Sequence, residues 1–283
     1  MSASRPIVIS QKIVANFLKP RPIDSHKGMF GRVGVLGGDT GYVGAALLAG
    51  RAALKMGAGS VQVGLLAENA PAVDAQMPEL MLHRASDILK AKSDVLVMGC
   101  GLGQSPAAHK LLYDVLLLDV PTILDADALN ILAQRPDLRG LLYTRKAAAV
   151  FTPHPGEAAR LLACKIDDVQ ADRVGAAVEL ARVLQGSVVL KGAGSVCVTR
   201  EGKLYLNQTG NPGMSSAGMG DVLAGMIAAF IAQGLSADEA LLLGVHLHGA
   251  AADELARQNA IIGMTATEVS EWARWLINRW VNK

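Results

Sequence analysis

Short apolar runs alternate with longer segments of helical periodicity over most of the chain. The short runs are rich in Val, Ile and Leu without polar alternation, which is typical of strands buried on both faces of a parallel sheet. The longer segments place apolar residues at the spacing of one helix face. The pattern predicts strands at residues 33–36, 60–66, 94–98, 121–124 and 148–152, with helices at 44–56, 107–118, 126–133, 156–163 and 173–184.

The pattern changes after residue 185. Two apolar runs at 187–191 and 195–199 flank Gly192-Ala193-Gly194, which predicts a hairpin, and residues 203–207 add a third strand. We therefore expect an α/β fold with a mostly parallel central sheet and helices on both faces. No Pro/Ser-rich linker divides the chain, so we expect one domain over residues 1–283. The remaining predicted helices lie at 221–232, 237–258 and 266–280.

Composition and charge narrow the class of protein. Apolar residues make up 51% of the chain and aromatic residues only 4%, so we expect a large aliphatic core. The net charge of +2 and the lack of a Lys/Arg run argue against nucleic acid as a partner. The N-terminus lacks the regions of a secretory signal, and the most apolar helix, 222–232, is too short to span a bilayer. We expect a soluble, cytoplasmic protein.

Cysteine and histidine spacing gives no metal motif. Cys100, Cys164 and Cys197 are widely separated, and an odd count without a pairing pattern fits a reducing compartment. We expect each cysteine to be a small buried apolar residue. His246 and His248 lie two positions apart on a predicted helix and therefore face different directions, so we assign them no metal.

Glycine-rich segments follow two of the predicted strands, at residues 37–44 and 99–104. In open parallel sheets ligands bind beyond the carboxyl ends of the strands, so both segments are candidate site loops. Closely spaced glycines let backbone N–H groups approach an anionic ligand. A tight structural turn explains each loop about equally well, and the first does not fit the dinucleotide fingerprint G-x-G-x-x-G.

Acidic and histidine side chains follow the next two strands. At Asp125 and Asp127 carboxylates can orient Mg²⁺ or bind a hydroxyl group, although Asp127 could instead cap the helix that follows. We favour a site role for Asp125 and leave Asp127 open. His154 is held between two prolines after residues 148–152, and we expect it to contact substrate. For Glu157, helix capping and metal binding remain alternatives.

Lys191 ends a predicted strand and is followed by Gly192-Ala193-Gly194-Ser195. A lysine before a glycine turn offers phosphate an ammonium group and free N–H donors. The segment is not a Walker A loop, and a solvated hairpin turn is the alternative.

The strongest motif is Gly218-Met219-Gly220-Asp221, which opens a long apolar helix. The N–H groups of residues 218–220 can form an anion hole at the positive helix end. A carboxylate at Asp221 is placed to take a proton from a hydroxyl group that attacks a phosphoryl group. An ordinary N-cap would explain the aspartate but not the glycine run before it. The residues alone therefore predict phosphoryl transfer with Asp221 as the base.

Taken together, these motifs resemble the NAD(P)H-hydrate dehydratase family of the ribokinase-like superfamily. The resemblance implies a repair enzyme that restores NADH or NADPH from the inactive hydrate. It further implies phosphorylation of the hydrate hydroxyl, with ADP in bacterial members and ATP in eukaryotic ones, followed by elimination of phosphate. The motifs stand in family order: HKGMFGRVGVLGG (26–38), GYVGAALLAGRAALKMGAG (41–59), GCGLG (99–103), LDADALN (124–130), TPHPGE (152–157), LKGAGSV (190–196) and GMSSAGMGDVLAGMIAA (213–229).

The resemblance also implies roles for individual residues. Asp221 would deprotonate the hydroxyl group, and the amides of Gly218 and Gly220 would stabilise charge on the transferred group. Mg²⁺ would bridge phosphates, through protein ligands that the sequence leaves open. The expected nucleotide-binding residues are Lys191, Gly192, Ala193, Gly194, Ser195 and Gly220, and the expected substrate-binding residues are Ala45, Gly103, His154 and Asp221.

Family members often form homotetramers, and many bacterial members carry an N-terminal epimerase domain. The chain has no room for that domain, so we expect any epimerase to be a separate protein. The C-terminal helix with its three tryptophans packs either in the core or at a subunit contact. Two alternatives to the dehydratase remain. One is a ribokinase-like kinase that phosphorylates a vitamin-like alcohol and leaves a stable product; the other is a non-enzymatic nucleotide-binding protein.

Overall fold

The structure, a computed structural model, describes residues 5–258 and 261–281, and within these ranges the chain forms ten strands and twelve α-helices. The strands are β1 (Ile7–Val8), β2 (Arg32–Gly37), β3 (Ser60–Leu65), β4 (Met81–Arg84), β5 (Val95–Met98), β6 (Thr122–Leu124), β7 (Ala149–Phe151), β8 (Ser187–Leu190), β9 (Val196–Val198) and β10 (Leu204–Leu206). The helices are α1 (Gln11–Ala15), α2 (Val43–Lys55), α3 (Ala85–Ile88), α4 (Pro106–Leu117), α5 (Ala126–Gln134), α6 (Pro136–Leu142), α7 (Pro155–Leu162), α8 (Ile166–Ala171), α9 (Arg173–Leu184), α10 (Met219–Ala232), α11 (Ala237–Gln258) and α12 (Ala266–Val281).

The strands form one sheet in the order β1-β10-β9-β8-β7-β6-β5-β2-β3-β4. Strand β9 is antiparallel to β8 and β10, and the other pairings of described strands are parallel. Short strands β5 to β8 are buried throughout, because helices cover both faces of the sheet. The expected α/β architecture with a mostly parallel sheet is confirmed.

Alternate residues of β5 belong to different halves of the core. Val95 and Val97 pack in the cluster that contains the buried residues of α2, α10 and α11. Leu96 and Met98 pack in the second cluster, with buried residues of α4, α5, α7 and α9. Since successive side chains of a strand point to opposite faces, the two clusters are the two layers between sheet and helices.

The predicted strands and helices are present, with ends shifted by a few residues. The predicted hairpin is the antiparallel pair β8–β9, and β10 adds the third strand. The sequence pattern missed the two edge strands, since both residues of β1 are exposed and β4 has no buried residue. It also missed the short helices α1, α3, α6 and α8. An edge element with little burial carries no strong hydrophobic period.

Helix α12 has one tryptophan in the core and one at the surface, where a subunit contact could form. Trp280 is buried and its ring lies 5.9 Å from that of His246 in α11. Trp275 is 42% exposed and Arg279 stacks over its ring, 4.4 Å from the centroid. Among the described helices, none is both long and apolar enough to cross a membrane.

Close contact between α10 and α2 depends on a glycine, which gives a first testable prediction. A Cβ atom on Gly225 would lie 2.0 Å from the carbonyl oxygen of Ala49. Gly225→Ala therefore forces the two backbones apart, and we expect it to lower the free energy of unfolding by about 1–3 kcal/mol. Urea denaturation measures the loss.

Gly140 provides the matched control, because it is an exposed helical glycine whose added Cβ would meet nothing within 4 Å. Gly140→Ala should stabilise the chain by about 0.4–1 kcal/mol through the entropy of the unfolded state. Equal effects of the two substitutions would contradict the steric argument.

Candidate active site

The N-terminus of α10 forms the centre of the candidate site. Gly218 precedes the helix in the left-handed region, with φ of 87°, which favours glycine. An added Cβ there would also lie 2.6 Å from the Leu48 side chain. The first turn of α10 then leaves backbone N–H groups without helical partners, and Asp221 lies in this turn. The predicted glycine loop and carboxylate therefore adjoin a helix end suited to anions.

A buried ion pair borders this helix end. The Lys191 ammonium donates to Asp125 Oδ1 at 2.8 Å, and Thr152 Oγ1 donates to the same oxygen at 2.7 Å. Asp125 is 1% exposed. A Cβ on Gly220 would lie 3.1 Å from Lys191 Nζ and 3.3 Å from Asp125 Oδ2, so the pair touches the anion-binding turn. The site role favoured for Asp125 thus has a geometric basis.

Lys191 remains a cation despite its surroundings. Burial lowers the pKa of the ammonium group, but the attraction of Asp125 and Glu157 outweighs burial and raises the pKa above its usual value. A charged lysine beside free N–H groups can bind phosphate oxygens. Thr152 is not among the candidate site residues identified from the sequence. It ends the predicted strand 148–152, so the strand-end rule could have found it.

The environment of Asp221 suits a general base. Burial, followed by repulsion from Asp125, raises the pKa of Asp221 to about 7, while Cys100 and Lys191 act in the opposite direction. Asp221 and Cys100 present polar atoms within 4.8 Å of each other and of Asp125. A carboxyl group with a pKa near neutrality can accept a proton and release it again under ordinary conditions.

Cys100, Asp125 and Asp221 are the residues in the described ranges whose donor atoms could reach one metal ion. They do not fit Mg²⁺, which prefers oxygen ligands, because the Cys100 thiol is a soft donor. Asp125 Oδ1 is moreover already bound to Lys191 and Thr152. The cluster therefore does not form a cage for a hard cation.

A cavity of about 830 Å³ opens beside Lys191 and Gly220. This volume lies in the range of ligand pockets in proteins. The expected nucleotide-binding residues Lys191, Gly192, Ala193, Gly194, Ser195 and Gly220 all line it, together with residues 207–212 and one side of α11. The structure thus brings the expected nucleotide residues together around one space.

His154 lines this cavity, whereas Ala45 and Gly103 do not. Its Nδ1 accepts from Gly156 N at 3.0 Å and its Nε2 lies 3.1 Å from Glu157 Oε1. Glu157 Oε2 in turn accepts from His154 N at 2.8 Å. This reciprocal capping box decides between the alternatives for Glu157 in favour of capping. His154, half exposed at the cavity rim, still has carbon atoms available for contact.

Ala45 and Gly103 lie in or against a second part of the site, the loop 99–103. A Cβ on Gly101 would lie 3.1 Å from the Ala45 Cβ, so the loop 99–103 packs against the start of α2. Gly103 N donates to Asp127 Oδ2 at 2.9 Å. Asp127 is therefore a loop anchor, while Asp125 occupies the N-cap position of α5 without a capping side-chain bond. Cys100 belongs to this loop and its sulfur lies within 4.8 Å of carboxylate oxygens of Asp125 and Asp221, so the loop borders the carboxylate cluster.

The cysteine expectation is partly wrong. Cys100 and Cys197 are buried, as expected, but Cys164 is exposed. Helix α7 ends at Leu162, and Cys164 lies in the turn that follows, which faces outward. Burial and the neighbouring carboxylates of Asp221 and Asp125 raise the pKa of the Cys100 thiol, which keeps this group neutral beside the two carboxylates.

The sequence pattern of the NAD(P)H-hydrate dehydratase family matches residues 33–274. The chain belongs to this family. It is 43% identical over 266 residues to the ADP-dependent (S)-NAD(P)H-hydrate dehydratase of Neisseria meningitidis, covering 92% of this chain and 90% of that protein. It is also 43% identical to the bifunctional NAD(P)H-hydrate repair enzyme of Escherichia coli, over 95% of this chain, and spans about half (52%) of that relative.

A solved structure agrees with the sequence comparison. The ADP/ATP-dependent NAD(P)H-hydrate dehydratase of Bacillus subtilis, co-crystallised with ATP and Mg²⁺, superposes with a TM-score of 0.86. It is 30% identical, and the match covers 98% of this chain and 100% of that one. The dehydratase family of the ribokinase-like superfamily, expected from the sequence motifs, is thereby confirmed.

Proposed function

We propose that this chain uses ADP to dehydrate the S-form hydrate of NADH and NADPH, giving the restored cofactor, AMP and phosphate. The observation that carries the proposal is the position of Asp221. Its carboxylate lies in the first turn of α10, close to Cys100 of the loop 99–103 and one residue after Gly220, which lines the cavity together with Lys191–Ser195. A base between two binding regions is what transfer from a nucleotide to a second molecule requires. The Neisseria meningitidis relative supports the choice of ADP.

The proposed reaction has two stages. Asp221 takes the proton of the hydrate hydroxyl group while that oxygen attacks the terminal phosphoryl group of ADP and AMP leaves. Lys191 and the N–H groups at Gly218 and Gly220 stabilise the charge on the transferred group. The carbon–oxygen bond then breaks with phosphate as the leaving group. Loss of a proton from the adjacent ring carbon restores the double bond of the nicotinamide.

We propose that Mg²⁺ would be bound in the site together with the nucleotide. Since Cys100, Asp125 and Asp221 do not fit a hard cation, the phosphate oxygens of ADP would supply most of its ligands, as is common for Mg²⁺ in nucleotide sites. The proposed base and ion pair do not depend on where the ion is held.

The function is tested by incubating the chain with hydrated NADH and ADP and following recovery of the reduced-nicotinamide absorbance. We expect one AMP and one inorganic phosphate for each NADH restored. A vitamin-alcohol kinase would instead keep the phosphate on its acceptor. Nucleotide consumption without NADH recovery, with either ADP or ATP, would contradict the proposed function.

The pH dependence of this activity follows from Asp221. Because burial and Asp125 raise the pKa of Asp221 to about 7, the group is an active base only above that pH. We expect kcat/KM to rise with pH and level off above about 7. Steady-state rates across this range provide the measurement, and a profile with no acid limb near pH 7 would contradict Asp221 as the base.

We also propose that the chain acts in the cytoplasm as a homotetramer and that a separate epimerase supplies it with the S-form. Exposed Trp275 on α12 is a candidate contact residue for assembly. Light scattering of the purified protein measures the oligomer, and a monomer at micromolar concentration would contradict that part.

A further inference from the structure

A second histidine in the cavity wall has no assigned role. His248 lies on α11 and is only 6% exposed, yet it lines the same cavity as Lys191 and Gly220. Its Nε2 atom is buried and has no hydrogen-bond partner among the described residues. Buried polar atoms are nearly always paired, so an unpaired one in a cavity wall points to a missing partner.

The neighbouring charges indicate the chemistry of that partner. Burial, followed by the positive charge of Lys191, lowers the pKa of His248 to about 4. Lys191 lines the same cavity as His248, and so does Met219 at the positive end of α10. Lys191 and the helix end are the groups that attract phosphate. The anionic part of a nucleotide would therefore lie close to His248.

His246 shows that an unpaired nitrogen is not a general property of this helix. It lies two residues earlier on α11 and is also 6% exposed. Its Nδ1 lies 3.2 Å from Asn207 Oδ1, and its ring contacts Trp280. His246 does not line the cavity. One histidine is therefore satisfied within the protein, whereas the other lines the cavity and has a buried ring nitrogen without a partner among the described residues.

We propose that the imidazole of His248 is a binding contact for the diphosphate group of a nucleoside diphosphate, made when the nucleotide fills the cavity. The inference rests on the proposed function, because it assigns the cavity to ADP. A phosphate oxygen accepts a hydrogen bond from the ring, and its negative charge opposes the effect of Lys191. Binding therefore shifts the pKa of the His248 ring upward.

Calorimetric titration with ADP, which needs no turnover, tests the contact. His248→Leu removes the donor at similar size, and we expect it to weaken ADP binding by about tenfold. His248→Gln places an amide nitrogen near the position of Nε2 and should recover most of the affinity. His246→Asn is the matched control, since it keeps a polar group toward Asn207, and its ADP affinity should stay within about twofold of the parent chain.

A proton NMR titration of the His248 ring supplies a readout that a purely structural role would not move. We expect the ring pKa to rise from about 4 when ADP is added, with no such shift at His246. An unchanged His248 pKa, together with unaltered ADP affinity in His248→Leu, would overturn the inference and leave the proposed function standing. Failure of the parent chain to bind any adenine nucleotide would overturn both.

Discussion

Asp221→Asn is expected to lower kcat of the proposed dehydratase by about 10²- to 10⁴-fold, the usual contribution of a general base. Asparagine has nearly the same shape but cannot accept the hydroxyl proton. Calorimetric affinity for ADP should change little, because Lys191 and the glycine loops that line the cavity are untouched. Steady-state rates and ADP titration on the same preparation measure the two effects separately.

The same substitution should make the folded chain more stable at alkaline pH. The folded-state pKa of Asp221 is raised from 3.8 to about 7, so the carboxyl group favours folding when protonated and loses that contribution as pH rises through 3.8 to 7. Above about pH 7 the buried carboxylate is a cost, which a neutral asparagine removes. We therefore expect a higher Tm for Asp221→Asn than for the parent chain at alkaline pH.

Asp74 is the matched control for both effects. It is 2% exposed and pairs with Arg51 at 2.7 Å, in a different part of the fold from Asp221. Hydrogen bonds and charge from Arg51 outweigh burial and hold the pKa of Asp74 below its usual value. Asp74→Asn should therefore lower the Tm at neutral pH and leave kcat unchanged. If Asp221→Asn retained activity, Asp221 would not be the base; a lower Tm at alkaline pH would contradict the cost assigned to the buried carboxylate.

For Asp221, the sequence could predict the position of the carboxylate but not its pKa. The glycine run before Asp221 indicates a helix start with free N–H groups, because few other structures need such a run. Repulsion from Asp125 comes from residues almost a hundred positions away, through strand order that periodicity does not encode. The carboxylate could be located from its motif, whereas its pKa required the fold.

The remaining site residues follow the same division. Lys191–Ser195 could be predicted because the hairpin is local, and strand-end position favoured Asp125. Substrate contact by His154 stays a prediction, and the structure adds that its ring nitrogens contact Gly156 N and Glu157 at the start of its own helix. The sequence predicts an apolar role for Cys100, because no acidic residue lies near it along the chain. His248 was set aside for its spacing from His246, which excludes a shared metal but not a separate ligand.

The second large effect is expected from Lys191→Met, in which two consequences can be separated. Without the ammonium group, Asp125 at 1% exposure retains, among the residues that the structure describes, the Thr152 hydroxyl as its side-chain hydrogen-bond partner. Breaking a buried ion pair in this way should lower the free energy of unfolding by roughly 3–5 kcal/mol. Loss of a cation from the cavity wall should also weaken ADP binding, by about 10- to 100-fold.

The double variant Lys191→Met with Asp125→Asn distinguishes these consequences. A neutral asparagine no longer needs the lysine, so we expect urea denaturation to show most of the stability restored, while calorimetry shows ADP affinity still low. Arg51→Met is the control at the Arg51–Asp74 pair, whose side chains are 17% and 1% exposed, against 21% and 2% for Lys191 and Asp125. It should lose stability by a similar mechanism and keep its affinity for ADP. Recovery of both properties in the double variant would mean that Lys191 serves only to neutralise Asp125 and does not bind phosphate.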